Sequence, residues 1–478
     1  MKFLFYCILI TFVQNSFSKE VILNEMYFQQ LDESKIPTIQ KINAQLEGSE
    51  LNLNLMEDVF QPNLNFNLLY GEDKSRQLNQ FVPVTSPTKA GILGISKNSS
   101  LGLSFSANLF ANQFTNNFLR RSTTVGTEFN LGIDLYKDIF GRTTRKKYNN
   151  LKDELEMRKL EAKIFTHQFK LNLYKMYWGL VANNEAILIT KRLINQAKKQ
   201  VEVTIEKVNN SVSDKGTLAR TRSILSSREG SLNSLEYQKS NLLRSFKELI
   251  PELSDSEIKL DNYNLEETIK NLFSCTGQLQ QYQFFPKDLT LFDEMAQYQV
   301  AMAKREKELA NIHNDVDLKL NLTGQLNGKD FSYNEGFQNF KDDSRWVTKV
   351  GVLLSVPLGG QKTKTAENLI SLAKRKEIVS EQSVRGKLSS YHSEILQSIV
   401  VLQNAIKNQH DNTMALRESL ISSRQKFNQA RITIEQLVGE EDAYFSSELT
   451  NIQTNLSILH TLLDYFSVFT ETKCPLNI

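Results

Sequence analysis

The sequence predicts an α+β membrane protein with an internal two-fold repeat. Its strands, four principal ones per chain, belong to an oligomeric transmembrane β-barrel that a long antiparallel α-helical coiled-coil barrel continues. Three observations carry this. An alternating strand, a glycine hinge and a very long helical pattern occur twice, with hinge glycines Gly141 and Gly360 lying 219 residues apart. No proline lies between Pro87 and Pro251 or between Pro357 and Pro475, so nothing breaks a long helix there. The strands alternate apolar residues with Asn, Asp and Lys, which suits lipid on one side and water on the other.

The N-terminus reads as a signal peptide over residues 1–18. Lys2 is followed by the apolar run Phe3–Val13 and the small-x-small site Ser16-Phe17-Ser18. The run is too short to span a bilayer as a helix. Cys7 falls inside it, which leaves Cys275 and Cys474; two thiols so far apart make no disulfide framework. No later segment has eighteen consecutive apolar residues, so an exported chain of this kind is soluble or enters a membrane as strands.

The first structural repeat covers 19–254: a polar helical stretch over 20–58, strands within about 61–136, and a helical hairpin over about 142–250. In its first strand Leu64, Phe66, Leu68 and Tyr70 alternate with Asn63, Asn65 and Asn67. Residues 72–90 read as a polar loop. Leu101, Leu103, Phe105, Ala107 and Leu109 form a further alternating piece, and Phe129, Leu131, Ile133 and Leu135 form the strand before Gly141. A helix then carries Phe165, Phe169, Leu173, Met176 and Leu180 on one face, continued by Ile194, Ala197, Val201 and Val208. It breaks at Asn209-Asn210-Ser211, and a return helix runs to Pro251. The second repeat, 255–478, has short helices near 263–273 and 288–313, strands within about 316–358 separated by a polar loop, and a hairpin over about 361–470. Its return helix carries Leu449, Ile452, Leu456, Leu459, Leu463 and Phe466 at 3-4-3-4-3 spacing, the coiled-coil signature.

Four principal strands cannot close a barrel, and unpaired edges in lipid are costly, so several chains must share one. Tyr70, Tyr136 and Trp346 fall at strand ends, where an interfacial girdle needs aromatics. A shared barrel joined to helical hairpins is a conduit.

The sequence at this point resembles the TolC family of outer-membrane efflux and export channels. The resemblance rests on Leu354-Ser-Val-Pro357-Leu358-Gly359-Gly360 at a strand-to-helix junction, Gln61-Pro62-Asn63-Leu64 at the first strand, and the stretch Lys426–Leu437 at the second helical tip. It implies a homotrimer with a shared twelve-strand barrel in the outer membrane of a Gram-negative bacterium and a large periplasmic part. It also implies docking to a periplasmic adaptor (membrane fusion) protein and an inner-membrane pump or ABC exporter. The sequence departs from the family at Ser211 and Ala430, where glycine is usual. It departs also at Gly216 and Gln436, where an acid is expected, and at Lys137 in the first hinge, where proline is. The piece at 101–109 suggests a longer first β-hairpin.

Catalytic, cofactor and metal residues are not expected. His167, His313, His392, His410 and His460 are scattered outside any metal-binding spacing. Gly359-Gly360-Gln361-Lys362-Thr363 lacks the upstream glycine of a phosphate loop and reads as a hinge, with Gly141 and Pro357. The balanced net charge of +3 gives no footprint for nucleic acid. The acidic cluster Glu435, Glu440, Glu441 and Asp442 has two readings. It suits the positive end of the return helix, and, with Arg431 and Gln436, it could ring a periplasmic pore constriction. On the resemblance, the adaptor-docking tips are Asn209, Asn210, Ser211 and Asn428, Gln429, Ala430. The competing function is a periplasmic coiled-coil adaptor or structural protein of a transport complex, which requires the strands to lie in a soluble domain.

Overall fold

The computed structural model describes residues 20–73, 86–115, 121–261, 264–279, 291–313, 316–356, 360–429 and 431–468. The signal peptide, Cys474, Pro357, Gly359 and Ala430 lie outside them. In chain order the elements are β1 (Glu20–Leu23), α1 (Glu25–Gln29), α2 (Pro37–Asp58), β2 (Asn63–Gly71), β3 (Thr88–Asn98), β4 (Leu103–Phe114) and β5 (Ser122–Asp134). There follow α3 (Arg142–Asn209), α4 (Lys215–Leu249), β6 (Glu257–Leu260), α5 (Leu265–Leu279), α6 (Leu291–His313), β7 (Asp317–Asp330), α7 (Tyr333–Asp342), β8 (Arg345–Ser355), α8 (Gly360–Asn428) and α9 (Ile434–Val468). The described residues fall into two compact units, one from those within 1–43, 162–293 and 386–478, the other from those within 44–161 and 294–385.

The first unit is a helical bundle with a small parallel sheet in which β1 pairs with β6. That pairing corrects the expectation of one helical stretch over 20–58: Glu20–Leu23 finds its partner at Glu257–Leu260, a match invisible to local periodicity. Pro37 then opens α2, where its missing N–H costs no helical bond. The core contains Leu173, Tyr177, Trp178 and Leu180 of α3, Phe246 of α4, Ile399 of α8, and Leu459, Leu462, Leu463 and Phe466 of α9, together with Phe28. Phe28 meets Tyr174 and Tyr177 edge-on at 5.5 and 5.7 Å and stacks on Phe246 at 6.0 Å. The 3-4 seam of α9 is buried as expected at Ile452, Leu459, Leu463 and Phe466, but Asn455, Ile458 and Leu462 are buried too. Helix α9 therefore buries one face broader than the narrow seam of a two-stranded coil, as in a bundle.

The second unit is built on one antiparallel sheet of order β2-β3-β4-β5-β7-β8. It contains six strands among the described residues, not only the four principal ones. Residues 88–98, read as loop and unassigned sequence, form β3, and the piece at 101–109 is β4. Strand β7 runs on to Asp330, and the expected polar loop contains α7. Thr323-Gly-Gln-Leu-Asn-Gly has too few apolar residues to alternate visibly, yet it pairs residue by residue with β5.

The β3–β4 turn sits against the first hinge. Gly141 has a positive φ of 72°, and a Cβ placed there would lie 1.7 Å from the Ser100 carbonyl oxygen. Gly102, with φ of 74°, faces the Asp138 carbonyl oxygen in the same way. Glycine is needed at both for conformation and for space. Asp138 caps α3 by accepting from the N–H groups of Thr143 at 2.7 Å and Thr144 at 2.9 Å. Gly141→Ala is expected to misplace the turn and the start of α3 together, read as loss of heat-resistant oligomer and a lowered melting temperature.

Candidate functional site

Two features bear on function, one in each unit. The first is the two-faced sheet. Residues paired across antiparallel strands share a face. One row of cross-strand partners reads Asn63, Ser96, Ser106, Asn130, Thr323 and Lys349, and its neighbour begins Asn65, Gly94, Asn108, Glu128 and Gln325. Asn130 donates to Ser106 at 3.2 Å and accepts from Thr323 at 2.7 Å, so the polar row is hydrogen-bonded laterally. The opposite face carries Leu64, Ile95, Ala107 and Phe129 in one row, and Phe105, Leu131, Leu322 and Val350 in another. Many of these apolar side chains are exposed: Phe66 is 69 % accessible and Val350 66 %. An apolar patch running across six strands is far more than a monomeric soluble domain leaves open to water. Tyr70 and Trp346 are exposed at one end of the strands and Tyr136 just beyond the other, as a girdle at two interfaces requires.

The second feature is the pair of helical tips. Helix α3 ends with Ser211 at φ 58°, the Ser211 N–H on the Val208 carbonyl at 3.0 Å, and the Val212 N–H on the Lys207 carbonyl at 2.8 Å. This is a Schellman cap with serine in the left-handed position that glycine favours. At the second tip the Arg431 N–H reaches the Lys426 carbonyl at 2.8 Å, the same five-residue closure. The lysine pair and the helix starts Asp214 and Thr433 repeat the 219-residue offset of the hinges. Asp214 accepts from the Thr217 N–H at 2.7 Å. Thr433 and Gln436 form a reciprocal capping box at 3.4 and 3.1 Å, so Gln436 serves the helix start. Lys207 lies over the Phe427 ring at 4.7 Å, joining the tips. Ser211→Gly is expected to raise stability by about 1 kcal/mol, because only glycine adopts this conformation freely; urea unfolding of the detergent-solubilised protein measures it.

The tip residues singled out from sequence are not brought together as one cluster. Asn209, Asn210, Ser211, Asn428, Gln429, Arg431, Glu435, Gln436 and Asp442 are exposed. A hydrogen bond from its own backbone N–H, then one from Thr433, and the Arg220 charge hold the Glu435 carboxyl below the usual range. The Thr217 N–H does the same for Asp214. The stability these contacts contribute is present above the ordinary carboxylate range and is lost as pH falls through the lowered values.

Glu440 is half-buried and accepts from Ser419 at 2.8 Å. Glu441 is 0 % exposed and lines no surface of the chain. Its carboxylate accepts from Gln200 at 2.6 Å, Gln196 at 3.2 Å and Arg424 at 3.2 Å. Beside it, Asp442 pairs with the buried Arg228 at 2.6 Å, and Arg228 also donates to the Leu193 carbonyl at 3.2 Å. This polar knot ties α3, α4, α8 and α9 together behind the tips. Gln196, Gln200 and Arg228 gave no sequence signal, because their partners lie more than two hundred residues away, and Arg424 gave none because its partner stands across the helical tip, on the next helix.

No family model matches the sequence, and no curated protein does. Among solved structures, the outer membrane protein VceC of Vibrio cholerae aligns with a TM-score of 0.63 at 11 % identity, covering 91 % of this chain and 93 % of that one. The CmeC outer membrane channel of Campylobacter jejuni aligns at 0.64 and 12 % identity, covering 91 % and 83 %. The open-state MtrE outer membrane channel of Neisseria gonorrhoeae aligns at 0.59 and 13 %, covering 91 % and 86 %. The fold is that of the TolC-type outer-membrane channels. The alignments take in about nine-tenths of the chain.

Proposed function

We propose that this chain is the outer-membrane channel subunit of a tripartite efflux pump or type I secretion system. Three copies share one barrel and provide a passive exit duct, with energy supplied by an inner-membrane pump or ABC exporter reached through a periplasmic adaptor. The observation that carries this reading is the sheet, whose exposed apolar face opposes a face with polar residues on every strand, interrupted at residues such as Ile92, Phe110, Val347 and Leu353. The alternative, a soluble periplasmic adaptor, leaves that apolar face without a partner. Helices α3 and α8, of 68 and 69 residues, supply lengths of about 100 Å each, enough for a periplasmic duct. The tips offer adaptor-docking surfaces at Asn209, Asn210, Ser211, Asn428 and Gln429, with Val212, 74 % exposed, as an apolar anchor that the sequence reading did not single out.

Discrete conductance steps are expected when the protein, purified from outer membranes, is reconstituted in a planar bilayer. Recovery only in the soluble periplasmic fraction would overturn the reading. With Glu441 enclosed, the constriction reading rests on Arg431, Glu435, Gln436, Glu440 and Asp442, and Glu435 is its strongest member. Glu435→Gln is expected to lower cation selectivity in reversal-potential measurements; an unchanged selectivity would move the constriction elsewhere.

A further inference from the structure

We propose that the transmembrane barrel of this protein has eighteen strands, six from each of three copies, and so is wider than the twelve-strand barrel its resemblance implies. The proposal rests on the channel reading above and concerns the width of that channel.

The β3–β4 hairpin is part of the wall. Strand β2 pairs with β3 along its whole length, from Asn63–Ser96 to Gly71–Thr88, and β4 pairs with β5 from Leu103–Ile133 to Phe114–Ser122. The hairpin therefore separates β2 from β5, the two strands that would be neighbours in a four-stranded subunit. Over most of its length it follows the facing of the other strands, with Ile92 and Phe110 as exceptions on the polar side and Lys97 on the apolar side. Ser96, Ser106 and Asn108 join the polar rows, while Leu93, Ile95, Phe105 and Leu109 join the apolar rows. Its tight turn is seated on the strand-to-helix hinge, where the Asp134 N–H reaches the Gly102 carbonyl at 3.2 Å.

The occupant of the two free edges is a second copy of this chain. Among the described residues, β2 and β8 each have a strand on one side only, and nearly every residue of both is exposed. All five pairings within the sheet are antiparallel, so the six strands alternate in direction and β8 runs opposite to β2. Strand β8 of one copy can thus continue the antiparallel order onto β2 of the next, a head-to-tail contact that closes into a ring. An inserted pair of strands preserves this alternation, whereas a single inserted strand would break it. In lipid an unpaired edge is not tolerated, so the ring must close. At a strand spacing of about 4.8 Å and a tilt of about 40°, eighteen strands enclose a wall about 36 Å in diameter, against about 24 Å for twelve.

Electron cryo-microscopy of the full chain, purified from outer membranes into lipid nanodiscs, tests this directly. A ring of three copies with six strands from each is expected. A closed ring in which residues 88–114 lie outside the wall, or any other strand total, overturns the eighteen-strand barrel and leaves the channel reading standing. A protein that forms no closed ring in lipid overturns both. A second readout is the size of polyethylene glycol that enters the barrel from the external face and reduces conductance. The full-length channel is expected to admit polymers about 1.5-fold wider than a variant lacking 87–115 does, in proportion to the strand number. Equal limits count against the proposal, and if that variant fails to assemble, the strand count in the full chain decides alone.

Discussion

Leu322→Arg is expected to prevent stable assembly in the outer membrane, whereas Asn321→Arg, one residue away, is expected to leave assembly nearly intact. Leu322 lies between Leu131 and Val350 on the apolar face of β7, and Asn321 lies between Gly132 and Gly351 on the polar face. A guanidinium facing hydrocarbon near the middle of a barrel wall costs about 2–4 kcal/mol, and each chain of a ring would carry that cost. The same group in a watery lumen keeps its hydration, and beside two glycines it has room. Heat-resistant oligomer recovered from outer membranes measures the first effect, and a shift of single-channel selectivity toward anions measures the second. Equal losses from the two substitutions would show that the sheet does not separate lipid from water.

Glu441→Ala is expected to destabilise the helical unit by about 3 kcal/mol, seen as a lower urea midpoint at unchanged slope. The substitution leaves the amides of Gln196 and Gln200 without their acceptor in a place closed to water, and it takes from Arg424 its partner carboxylate. Removing one member of a buried polar group leaves the others uncompensated, which is worse than never having built the group. A triple replacement of Gln196, Gln200 and Glu441 by leucine is therefore expected to be milder than the single alanine. If Glu441→Ala instead altered cation selectivity with no change in stability, the buried assignment would fail.

Much of the fold was legible in the sequence because its signals are local. Proline-free stretches, the 3-4 seam of α9 and the alternation of Leu64, Phe66 and Leu68 each need only a dozen neighbouring residues to be read. The two-fold repeat was legible as well, and the structure extends it to details. The tip closures at Lys207 and Lys426 and the caps at Asp214 and Thr433 keep the spacing of the hinges.

What escaped the sequence depends on partners distant in the chain. Strand β3 has the glycines Gly91 and Gly94 within it and alternates only over a few residues, so its strand character comes from lying between β2 and β4. The polar half of β7 is held by β5, almost two hundred residues earlier. At the tip, Glu435, Glu440, Glu441 and Asp442 form one acidic run to the reader of the sequence. Helical rotation points Glu441 inward and leaves Glu435 in solvent, and only the glutamines and arginine brought by two other helices make the buried position tenable. The sequence by itself determined the two-faced strands, the long helices and their duplication, because periodicity is a property of neighbours. Tertiary structure alone decided the number of strands in the sheet and which carboxylates face water, because both depend on pairings between residues that meet only when the chain has folded.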